Sequence, residues 1–176
     1  MRLFVAVRFP DPFLRAILEA RDSLKNAAAA ADPSVLRANY SREENLHLML
    51  AFIGERPEAR SAVRALETVR FEPYPLSLGK PRKLHDILVL GITDGGETVR
   101  LASAVRATLD QAGIPYDPKP PLPHITLARK FSSALPAGSE FSVPQARCTV
   151  SSFALMKSER IGGVLTYTAL WQSPEH

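Results

Sequence analysis

Two short segments, each a histidine set in an apolar strand pattern, constrain this chain more than anything else in it. The first is LHLMLAFI at 46–53 and the second is HITLAR at 124–129. Strict alternation puts Leu46, Leu48, Leu50 and Phe52 on one face of the first, with His47, Met49, Ala51 and Ile53 on the other. In the second, His124, Thr126 and Ala128 share a face opposite Ile125 and Leu127. Each segment closes a strand–helix–strand unit. A strand over 3–9, with Leu3, Val5, Val7 and Phe9 on one face, leads into a helix from 12 to about 30, capped by Asp11 with Pro12 in its first position. A strand over 86–92, a turn at Asp94-Gly95-Gly96 and a helix over 97–112 stopped by Gly113 lead to the second. The repetition predicts a weak internal duplication, with two related lobes facing each other across a groove and each offering one histidine.

The remaining segments are less decisive. Residues 34–45 read as a polar loop. Pro57 opens a second helix with Val63, Leu66 and Val69 inward, and a short strand follows at 74–79. Four prolines between 118 and 123 make a stiff extended approach to His124. Strands over 149–157 and 164–171 flank Gly162-Gly163 as a hairpin.

Composition narrows the class. A chain of 176 residues, 45% hydrophobic and 23% charged, is ordinary globular material and argues against disorder. Its length suits one domain, or two lobes sharing a core. The net charge of +4 and pI of about 9.5 favour an anionic partner such as nucleic acid, the alternative being a merely basic surface. Cys148 is the only cysteine, so no internal disulfide can form, which suits a reducing compartment, and it reads as a buried thiol rather than a nucleophile. The apolar stretch Leu3 to Val7 is closed by Arg8 and Pro10 too early for a signal peptide, and no apolar run approaches the ~20 residues of a membrane span. The expectation is a cytoplasmic protein, a monomer with no membrane partner.

Of the four histidines, His176 is the last residue and His85 lies beside Lys83 and Asp86 as a surface residue. His47 and His124 differ, because each has a strand neighbour two residues on that projects in parallel, roughly 7 Å away. For His124 that neighbour is Thr126. A hydroxyl and an imidazole on one face can hold one phosphate together, the hydroxyl donating to a phosphoryl oxygen while the imidazole moves a proton. Two such strands supply one acid and one base, which is what hydrolysis of a cyclic phosphodiester needs. The alternative is that both are half-buried strand residues satisfied by neighbours. No Cys, Asp or Glu stands in ligand spacing to either, so no metal is expected. No G-x-x-x-x-G-K-S loop supports triphosphate chemistry, and no cofactor is expected.

The segments ENLHLMLAFIGE at 44–55 and PHITLARK at 123–130 resemble the two signature strands of the two-histidine (2H) phosphoesterases. More narrowly, they are similar to the bacterial and archaeal RNA 2′,3′-cyclic phosphodiesterases, once called 2′-5′ RNA ligases. The opening MRLFVAV and the neighbourhood of Gly163 and Tyr167 look similar too. The resemblance implies an α+β, bilobed phosphoesterase-like domain over 1–176, with two pseudo-symmetric lobes, antiparallel sheets around a central groove and helices outside. It implies His47 as proton donor, His124 as proton acceptor, Thr126 as a phosphate contact and Arg129 as a phosphate or RNA contact. The implied partners are RNA with 2′,3′-cyclic phosphate ends, or cyclic nucleotides. Met49 stands where the family pattern has threonine, and methionine cannot donate a hydrogen bond. Two readings therefore stay open: a metal-independent enzyme that opens cyclic phosphates to 2′-phosphates, or a protein that binds RNA ends or nucleotides with weakened catalysis.

Overall fold

The computed structural model describes residues 1–175; His176 lies outside them. Nine strands form one sheet in which every pairing is antiparallel. They are β1 (Arg2–Val7), β2 (Asn39–Tyr40), β3 (Leu48–Glu55), β4 (Tyr74–Leu84), β5 (Ile87–Thr93), β6 (Ile125–Arg129), β7 (Arg147–Val150), β8 (Ala154–Ile161) and β9 (Val164–Gln172). The helices are α1 (Asp11–Ala31), α2 (Arg60–Leu66) and α3 (Glu97–Gln111). The order across the sheet is β7-β4-β5-β6-β3-β1-β8-β9, with β2 paired to β6. The expected duplication is visible in that order. β1-α1-β3 and β5-α3-β6 are the two repeated units, and they meet where Leu48 of β3 pairs with Ile125 of β6.

The two faces of the sheet have different fates. One carries the main core: Leu3, Val5 and Val7 of β1, Leu48, Leu50, Ala51 and Ile53 of β3, and Ile125, Leu127 and Ala128 of β6. Against it pack Ile17 and Leu24 of α1, Leu66 of α2, and Leu101, Val105 and Leu109 of α3, all at most 2% exposed. Burial of these side chains is what holds the helices to the sheet, at about 1.5–3 kcal/mol for each large one. The other face carries a small second cluster, Phe4, Ala6, Ala154 and Met156, with Met49, Phe52 and Tyr167 packed around it. Having no helix on it, that face is left for the groove.

Several expected boundaries move. The helix from Asp11 has Pro10 at its cap, so Asp11 is its first residue rather than the cap; its carboxylate still meets the positive end of the helix. The strand over 3–9 ends at Val7. Residues 34–45 hold two 3-10 turns and β2 instead of a plain loop. The helix after Pro57 is confined to Arg60–Leu66. The strand over 74–79 runs on to Leu84, and His85, at φ 54, makes the exposed turn into β5. The single strand over 149–157 is two strands at opposite ends of the sheet, because β7 pairs with β4 and β8 with β1. Asp94 does act as a turn residue, accepting from the amides of Gly96 and Thr98 ahead of α3. Gly113, at φ 65, stops α3 as expected. Among the described residues no helix is long and apolar enough to cross a membrane.

Candidate active site

Strict alternation fails in β3 and β6 at the same place, and the failure shapes the site. In β3, Val5 pairs with Ala51 and Ala6 with Met49, so Leu50 is an extra residue. In β6, Val89 pairs with Thr126 and Leu88 with Ala128, so Leu127 is extra. Each is a bulge, which reverses the side-chain parity beyond it. Ala51 and Ile53, expected beside His47, therefore lie in the core, and Phe52, expected opposite, turns into the groove. Ala128 likewise leaves the face of His124 for the core, and Arg129 takes its place. His47, Met49 and Phe52 thus correspond to His124, Thr126 and Arg129, residue for residue. All six line one groove enclosing about 1080 Å³. Such a volume is at the upper end for a small-molecule site.

Neither histidine lies inside its strand: His47 immediately precedes β3 and His124 immediately precedes β6. What fixes them is the segment just before. The His47 Nδ1–H donates to the Asn45 carbonyl at 2.8 Å, and the His124 Nδ1–H to the Leu122 carbonyl at 2.6 Å. A carbonyl can only accept, so in both neutral rings Nδ1 keeps the proton and Nε2 is the free basic atom. Leu46 is extended, and Leu122 precedes Pro123, which disfavours a helical turn there. Asn45 is itself anchored, its side-chain amide donating to the Leu165 carbonyl of β9 at 2.9 Å.

The surroundings of the two rings differ. His47 packs on Phe4 with ring centroids 5.0 Å apart, and Tyr167 meets it edge-on at 5.3 Å. Burial is the largest of the influences that together lower the His47 pKa to about 4; the charges of His124 and Arg129 act in the same direction and the Asn45 bond opposes them. His124 is also lowered, by burial first, and then by the charges of Arg82 and Arg129 against the support of Leu122. Both imidazoles are therefore neutral in the empty groove at pH 7. An anion between them would act the other way on both rings, since a nearby negative charge favours imidazolium.

All five site residues expected from the sequence line this groove. The aromatic wall of Phe4, Phe52 and Tyr167 is not expected from it. Apart from the resemblance around Tyr167, its sequence signal is that β1 is apolar on both faces, Leu3 to Val7, which marks a strand covered on each side. Cys148 is half-buried in β7, away from the groove, and burial pushes its thiol up to about 11, so it is no nucleophile at neutral pH. Among the described residues no group of three or more His, Cys, Asp or Glu is placed to hold a metal ion.

Comparison with known proteins agrees with this fold. The RNA 2′,3′-cyclic phosphodiesterase of Archaeoglobus fulgidus is 30% identical over 142 residues, covering 73% of this chain and 72% of that protein. One of the same name from Geobacillus stearothermophilus is 28% identical over 147 residues, 72% of this chain but 47% of that protein. In three dimensions, E. coli LigT complexed with NADP+ superposes with a TM-score of 0.77 at 25% identity, covering 98% of this chain and 95% of that one. The protein TT0787 of Thermus thermophilus superposes at 0.76 with 29% identity, covering 98% and 97%. Residues 9–162 match the profile of the 2′-5′ RNA ligase superfamily, and it is to this superfamily, with its α+β two-histidine phosphoesterase fold, that the chain belongs.

Proposed function

We propose that the protein hydrolyses RNA 2′,3′-cyclic phosphate ends to 2′-phosphates without a metal ion or cofactor. One observation carries the reading. Two imidazoles, each locked through Nδ1 onto the carbonyl two residues back, line one groove with Thr126 and Arg129. The names of the curated relatives support the same substrate. In this reading residues 1–176 work as one bilobed domain. Water attacks phosphorus while Nε2 of His124 takes its proton. The bond from phosphorus to the 3′ oxygen breaks, and that oxygen takes the proton carried on Nε2 of His47. The products are a 2′-phosphate and a free 3′-hydroxyl, and exchange with solvent restores both rings. The Thr126 hydroxyl and Arg129 guanidinium are the donors for the phosphoryl oxygens.

Met49 supports a second reading, a protein that holds RNA ends or nucleotides with little turnover, because its thioether occupies the place of a donor. Incubation with a 2′,3′-cyclic nucleotide in excess chelator separates the two. The proposed activity gives the 2′-phosphate at an undiminished rate. Binding without product favours the second reading.

A further inference from the structure

A nucleotide in this groove meets two unlike halves. Over β3, β1, β8 and β9 the surface is aromatic and apolar, from Phe4, Phe52, Met49 and Tyr167. The cations there are already engaged. Arg2 lies over the Phe52 ring at 5.0 Å, Lys157 pairs with Glu159 at 2.8 Å, and Arg160 donates to the Gly163 carbonyl at 2.9 Å. Such a half suits a base and offers little to a phosphodiester. Beyond His124 the balance reverses. The side chains of Arg129 and Arg82 have no hydrogen bond, ion pair or ring partner among the described residues.

The register places Arg82. It pairs with Val89, which pairs with Thr126. Residues directly opposite in an antiparallel sheet point to the same side, so Arg82, Val89 and Thr126 form one row on the groove face. Val89 belongs to that face, since its neighbours Leu88 and Leu90 are in the helix-side core and it is not. Two strand spacings separate Arg82 from Thr126, about 10 Å of backbone. Its guanidinium is close enough to His124 to be felt there as a charge. It is exposed on β4, past the groove's edge rather than in its floor.

Resting on the proposed activity, we infer that Arg82 holds the phosphate joining the terminal nucleotide to the rest of the RNA. The preferred substrate is then a chain of two or more nucleotides, not a cyclic mononucleotide. The terminal cyclic phosphate sits between the histidines, the base lies over the aromatic half, and the 5′ phosphodiester leaves across β5 towards Arg82. This is a substrate-binding role, with no proton transferred.

The test compares wild type and Arg82→Gln on two substrates: a 2′,3′-cyclic mononucleotide and a trinucleotide ending in the same cyclic phosphate. We expect KM for the trinucleotide to rise about tenfold, the scale of one hydrogen bond to a charged group, with kcat kept and the mononucleotide little changed. Arg82→Lys should recover part of the loss. An unchanged trinucleotide KM overturns the inference. So does an equal loss on both substrates, which would put Arg82 on the reacting phosphate. If wild type cleaves neither, the proposed activity fails by itself. The inference is then judged by whether Arg82→Gln selectively weakens binding of a trinucleotide 3′-phosphate relative to a mononucleotide 3′-phosphate.

Discussion

Met49 marks the main asymmetry between the two halves of the site. It holds the position equivalent to Thr126 and packs against the cluster of Phe4, Ala6, Ala154 and Met156. Met49→Thr should keep the fold, at a cost of roughly 1–2 kcal/mol for lost packing, because threonine suits a strand. It should raise kcat/KM on cyclic phosphates several-fold, as a second neutral donor worth about 0.5–1.5 kcal/mol would. Steady-state kinetics on the folded variant decide, and an unchanged or lower kcat/KM would show that the thioether belongs to the working site. The histidines carry a second residue-scale expectation. Burial disfavours imidazolium, so the pKa of each is lowered in the free protein, His47 to about 4. The bound phosphate favours imidazolium and raises both. The pH profile of kcat/KM reports the free protein and that of kcat the complex. Both profiles should be bell-shaped, with the optimum of kcat/KM acidic of neutrality and that of kcat at higher pH. Coincident optima, or a kcat/KM that does not fall as pH rises through neutrality, would contradict the acid–base pair.

Elements are legible in the sequence where periodicity is strong and local. The strand at β1, the helices α1 and α3, and the strands after both histidines follow from apolar spacing and from Gly113 and Asp94. The bulges at Leu50 and Leu127 do not, because a bulge depends on the partner strand, and the sequence alone shows unbroken alternation. That is why alternation assigns Phe52 to the core and Ala128 to the groove. The break between β7 and β8 is hidden for a similar reason: which sheet edge a strand joins is a long-range matter. Another close fit is equally invisible locally. A Cβ on Gly79 of β4 would lie 2.9 Å from the Gly91 carbonyl carbon and 3.0 Å from its oxygen, beside the irregularity between Leu78 and Pro81. Backbone cannot give way as a side chain does. Gly79→Ala should therefore destabilise the protein by about 1–3 kcal/mol, read as a lower denaturation midpoint. An unchanged midpoint would mean that the β4–β5 approach is looser than described.

At the scale of the molecule, one sheet keeps its helices on one face and the groove on the other. The duplication brings His47 and His124 into one groove from segments 77 positions apart in the chain. The repeated pattern makes that pairing readable from the sequence. The same duplication makes the two-histidine mechanism directly testable, since two equivalent imidazoles are assigned opposite roles in one reaction. The measurement is the rate of 2′,3′-cyclic phosphate hydrolysis by wild type, His47→Ala, His124→Ala and the double variant, in chelator, with folding checked by circular dichroism. Each single variant should fold and lose about 10²–10⁴-fold in rate. The double variant should lose much less than the product of the two, as for groups acting as a unit. Near-wild-type hydrolysis by either folded single variant would contradict the mechanism.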